Sequence, residues 1–135
     1  MKDRNDFIKL AYIAEGGWGA AWNDGSWNIV ETYFQKLAML SEEHGFKVII
    51  AVMPVSFQVY ADFLEDTPQR KLKEKAQKLN FYFIDLLPIL RGHRQQKLFF
   101  DQCHPKANAN DIIGRAISDY LESEVIPASQ GNNGG

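Results

Sequence analysis

Residues 46–54, FKVIIAVMP, constrain the fold more than any other stretch. Val48 to Met53 is continuously apolar and rich in β-branched residues. A strand covered on both faces reads this way, as in a parallel sheet. Pro54 ends it, because proline cannot donate to a strand ladder. A second short buried strand, roughly Tyr82 to Ile84, lies within FYFIDLLPIL, residues 81–90. Between the two, Thr67 and Pro68 open a helix, with threonine as N-cap and proline in the first turn. QRKLKEKAQKLN follows, with Leu72, Ala76 and Leu79 inward and lysines outward. Asn80 is suited to end it. Strand, helix, strand is a βαβ unit, whose strands should be parallel with a right-handed crossover.

The flanks extend this α/β pattern. Asn28 and Glu31 are spaced as a capping box. Ile29, Tyr33, Leu37 and Leu40 then recur at helical spacing beside Val30 and Phe34. His44-Gly45 suits a helix end, since glycine accepts the left-handed backbone there. Residues 55–66 read as a loop with a short helix. Asp85 ends the second strand, and Leu86-Leu87-Pro88 turn the chain into another short helix. Residues 91–98 are basic and polar, and Phe99-Phe100 return to the core. A last helix over 109–124 carries the stripe Ile112, Ile113, Ala116, Ile117, Tyr120 and Leu121.

Three segments result: an irregular Gly/Trp-rich stretch over 1–27, an α/β unit over 28–124 and a tail expected to be disordered over 125–135. Phe7 to Ile13 reads as a strand or a short helix, and the glycine-rich stretch after it as loop. Only two strands are plain, whereas a doubly wound sheet has about five or six. Either residues 1–27 hide strands or strands are missing.

A length of 135 residues suits one domain, and a net charge of −2 offers no basic stripe for nucleic acid. The single cysteine, Cys103, excludes an internal disulfide, and three scattered histidines give no zinc spacing. No apolar run approaches membrane-spanning length, and no signal-length stretch follows Met1. No export signal is therefore expected.

Chemistry concentrates in FFDQCHPKAN, residues 99–108. A turn can bring the Asp101 carboxylate against Nδ1–H of His104, three residues on. Such a bond fixes the tautomer, aims Nε2 outward and stabilises the imidazolium that forms. The plainer alternative is a polar turn, since aspartate is a common turn former. On spacing alone the turn is favoured.

The context shifts that balance. DQCHPKANANDIIGRAISDYL resembles the last block of the SGNH/GDSL hydrolases, where an Asp-x-x-His-Pro stretch precedes the C-terminal helix. LAMLSEEHGFKVIIAVMPVSFQVY is similar to that family's helix and fourth strand, and LNFYFIDLLPILR to its fifth strand and following turn. Residues 28–122 thus resemble the C-terminal half of such a hydrolase, in the correct order. The resemblance implies a flavodoxin-like three-layer fold, a parallel sheet with helices on both faces, incomplete at the N-terminus. It implies that His104 is the general base and Asp101 the acid that orients it. The implied reaction is hydrolysis of an ester or acyl transfer to a sugar hydroxyl, on a small-molecule or glycan ester. No metal or organic cofactor is implied.

The family's Gly-Asp-Ser nucleophile block is absent. Gly25-Ser26 is the nearest imitation, but no strand feeds it, and Ser26 reads as a loop or capping serine. Asn23 occupies the order of the family's oxyanion-hole asparagine, without the glycine two places earlier; an Asn-Asp-Gly turn explains it equally. Cys103 reads as a packing residue, because adjacent side chains in a turn normally point apart. His44 and His93 read as solvated surface groups. Trp18, Trp22 and Trp27 read as covering a core edge rather than lining an acyl or glycan pocket. Lacking the serine, this chain alone would be inactive and would expose the face where further strands pair. The alternatives are a non-catalytic α/β binding module that has lost the nucleophile, and a small response-regulator-like domain whose Asp-x-x-His is accidental.

Overall fold

In the computed structural model, residues 18–22, 24–61 and 65–126 are described. The expectation for Phe7 to Ile13 and most of the tail fall outside them. The chain mixes helices with a two-stranded parallel sheet. Short 3₁₀ turns at Trp18–Trp22 and Asp24–Ser26 lead into α1, Trp27–His44. Then come β1 (Ile49–Val52), α2 (Ser56–Tyr60), α3 (Thr67–Lys78), β2 (Tyr82–Asp85), α4 (Leu87–Arg91) and α5 (Ala107–Tyr120). A π-helical turn at Leu121–Val125 closes the described chain.

The βαβ unit forms as expected. β1 and β2 pair in parallel, with Ile49 opposite Tyr82 and Val52 opposite Asp85. Gly45 takes the left-handed backbone at φ 70° and ends α1, its N–H bonding to Ser41 O. Asn80 ends α3 in the same region, at φ 55°. The core gathers Val59, Ile84, Leu86, Leu87, Leu90, Leu98, Phe99, Ala109 and Ile113, from β2, the three short or C-terminal helices and the 98–99 segment.

Several local expectations fail. The N-cap position of α1 is Ser26, not Asn28, and no side chain caps it. Glu31 instead pairs with Lys75 of α3 at 2.6 Å. Asp66, not Thr67, holds the N-cap position of α3. Helix α1 buries Trp27 and half-buries Val30, Phe34, Leu37 and Ala38, while Ile29, Tyr33 and Leu40 stay exposed. The helix is apolar on two sides, and the core covers one. Phe99 is buried but Phe100 is 70% exposed. Val125 is buried rather than part of the tail, and Lys47 Nζ donates to its carbonyl at 2.9 Å.

β1 is not covered on both faces. Val52 is buried, Ile49 and Ile50 are half-buried, and Ala51 and Met53 are exposed. The two strand edges also differ. The outward amide of Phe83 on β2 donates to Tyr120 Oη of α5 at 3.1 Å, which occupies that edge. No strand pairs with the far edge of β1 among the described residues. The continuous apolar run suits coverage on both faces, which β1 does not have among the described residues.

Candidate active site

The segment between β2 and α5 is pinned at several points. Phe99 and Pro105 form an antiparallel bridge. Phe100 N–H donates to His104 O at 2.9 Å, and Lys106 N–H to Leu98 O at 2.8 Å. Tyr60 Oη accepts from the Leu98 amide at 2.7 Å and donates to Gln96 O at 3.0 Å. Ser56 N–H, just past the carboxyl end of β1, donates to Gln102 O at 2.8 Å. The loop thus sits at the sheet end where α/β proteins collect functional groups.

Within this frame Asp101 and His104 meet. Asp101 Oδ1 accepts from the amides of Cys103 at 3.0 Å and His104 at 2.9 Å, an Asx-type turn. Its Oδ2 lies 2.7 Å from His104 Nδ1. The Cys103 amide first, then the His104 ring and amide, hold the Asp101 carboxyl down at about 2. Asp101 is therefore ionised at neutral pH and can only accept. The proton between the pair sits on Nδ1, and in the neutral ring Nε2 keeps its lone pair. Nε2 has no hydrogen-bond partner among the described residues, and the His104 side chain is 72% exposed. This arrangement can take a proton from a hydroxyl placed against Nε2 and stabilise the resulting imidazolium.

Ser26 is exposed at the start of α1 and makes no side-chain cap bond. Asn23 lies outside the described residues. Trp27 is buried, and its indole N–H donates to Ala21 O at 3.2 Å. The Trp22 indole N–H donates to Glu65 O at 3.1 Å, so both rings pin the segment before α1 onto the body. His44 is a surface group, its ring 4.0 Å from Glu43. His93 departs from expectation: it is half-buried and lines a groove of about 660 Å³ with Ile84, Ile89, Ile112, Ala116 and Tyr120. A second groove, about 500 Å³, lies between α3 and β2 near Gln69, Phe81 and Asp85. Neither is lined by Asp101 or His104.

Cys103 also departs from expectation. Its Sγ does not point away from His104 but lies 3.6 Å from Nδ1. Burial, then the adjacent Asp101, push its thiol above the ordinary value. Ser56 is a residue that sequence reasoning passed over: it is buried and ties β1's end to the loop. The strand-end proline two residues earlier was the available signal. Comparison with family models, curated proteins and solved structures returns no match for this chain.

Proposed function

We propose that Asp101 and His104 are the acid and base of an SGNH/GDSL-type serine hydrolase, acting on a serine supplied from outside this chain. The observation that carries the reading is the 2.7 Å contact between Asp101 Oδ2 and His104 Nδ1, with Nε2 left open. His104 Nε2 takes the serine proton as the hydroxyl oxygen attacks the ester carbonyl. The Asp101 carboxylate stabilises the imidazolium, which returns the proton to the leaving alkoxide. Water, or a sugar hydroxyl, then attacks the acyl-serine with the same base. The substrate class is a small-molecule or glycan ester, and no metal or organic cofactor enters the cycle. The fold that accompanies this reading is the three-layer parallel sheet, with further strands added beyond β1.

A second reading is a non-catalytic α/β binding or interaction module. It is favoured by the exposure of His104 and by the two described grooves, which lie elsewhere. The two separate on hydrolysis of p-nitrophenyl acetate by the protein from the complete open reading frame. The hydrolase reading expects His104→Ala to lower kcat/KM by about 10²–10⁴. Equal rates for wild type and variant support the module.

A further inference from the structure

The same loop holds a third group that the hydrolase reading leaves idle. One oxygen of Asp101, Cys103 Sγ and a ring nitrogen of His104 all lie within 4.8 Å of one another. We propose that Asp101, Cys103 and His104 form a binding site for a thiophilic divalent cation, zinc above all, whose occupancy disables the Asp–His pair.

The distances carry the argument. Zinc bound at about 2.3 Å from sulfur and about 2.0–2.1 Å from nitrogen, in tetrahedral geometry, separates those two ligands by about 3.6 Å. Cys103 Sγ and His104 Nδ1 stand 3.6 Å apart. Nitrogen and carboxylate ligands of the same ion stand about 3.3 Å apart. Nδ1 and Oδ2 are 2.7 Å apart, so that edge opens by about 0.6 Å on binding. The carboxylate is already fixed, because Oδ1 is tied to two backbone amides. The loop is fixed in turn by the Phe99–Pro105 bridge and the Ser56–Gln102 bond. The donor set of one thiolate, one imidazole and one carboxylate suits zinc, and three protein ligands leave a fourth position for water. An exposed loop gives the ion direct entry.

Binding replaces two protons. The thiol loses its proton to become the ligand, and Nδ1 gives up the proton it shares with Asp101. With the metal on Nδ1, that nitrogen no longer donates to the carboxylate. Cation binding and the Asp101–His104 hydrogen bond are therefore mutually exclusive. The site itself does not rest on the hydrolase reading, since the ligands stand together whether or not the pair catalyses.

The test is a titration of the reduced protein with Co²⁺ under anaerobic conditions, followed by displacement with Zn²⁺. The expected result is one equivalent bound with a thiolate-to-cobalt charge-transfer band, bleached by zinc. Cys103→Ala should abolish the band, and Asp101→Asn should weaken binding about tenfold or more. Circular dichroism checks that each variant is folded, and Cys103→Ser stands in if the alanine variant is not. No band in the wild type overturns the site. So does one-equivalent binding that Cys103→Ala or Cys103→Ser leaves unchanged, which would place the ion elsewhere. Esterase activity is not read, so a failed hydrolase assay leaves this result intact.

Discussion

Gln58 and Gln69 offer a sharp test of what holds the site's underside together. Gln58 is 3% and Gln69 2% exposed, on α2 and α3. Their amides exchange two hydrogen bonds: Gln58 Nε2 donates to Gln69 Oε1 at 2.9 Å, and Gln69 Nε2 donates to Gln58 Oε1 at 3.1 Å. Gln58 starts two residues after Ser56, which holds the Asp101 loop, so the pair fixes the base of that contact. Gln58→Leu keeps the volume but strands a donor and an acceptor of Gln69 in the interior. A buried unpaired polar group costs about 1–3 kcal/mol. Each single leucine variant should therefore lose about 2 kcal/mol. The double variant removes both amides at once and strands only the half-buried Val55 amide, which donates weakly to Gln58 Oε1 at 3.4 Å, so it should lose about 1 kcal/mol. The coupling is then about 3 kcal/mol, at the upper end for neighbouring residues. Urea denaturation followed by tryptophan fluorescence reads all four corners, since Trp27 is buried. The midpoints should move at constant slope. A double variant as unstable as the sum of the singles would refute the reasoning.

Three further outcomes follow from single residues. Asp101 should titrate at about 2 in a carbon-detected NMR experiment. Its folded value lies below the ordinary 3.8, so the stability it contributes is present above that value and lost as pH falls from about 4 toward 2. Asp85 behaves oppositely: burial, opposed by the Leu87 amide bond, raises its carboxyl. Charging it near neutral pH weakens the fold, so Asp85→Asn should raise the thermal midpoint at pH 7, while the amide oxygen still accepts from the Leu87 amide; a fall would contradict this. Tyr60→Phe strands the amide of fully buried Leu98 and should cost about 1–3 kcal/mol by denaturation.

Much of the element order was legible from periodicity. The run at 46–54, the Thr67-Pro68 start, Gly45 and Asn80 each carry a local physical signal, and each marks a real feature or lies within a residue of one. What a pattern does not carry is which neighbour covers a face. Helix α1 is apolar toward both Phe34 and Tyr33, so only packing decides that Trp27, Val30 and Phe34 turn inward. The apolar run of β1 reads as doubly covered because its composition suits a wide sheet, yet among the described residues its one pairing partner is β2. Asp101 and His104 were legible because a three-residue spacing and a following proline describe a turn. The inward swing of Cys103 was not, since it follows from the two amides that Asp101 captures. The Gln58–Gln69 pair joins residues eleven apart and has no sequence signature.

The account's central claim is that His104 works as a base on a serine. Fluorophosphonate labelling of the protein from the complete open reading frame tests it most directly, with intact mass and peptide mapping as the readout. The account predicts one adduct on a serine outside this chain, and its loss in His104→Ala while Lys106→Ala retains it. An adduct that forms equally in His104→Ala, or no adduct at all, would contradict it.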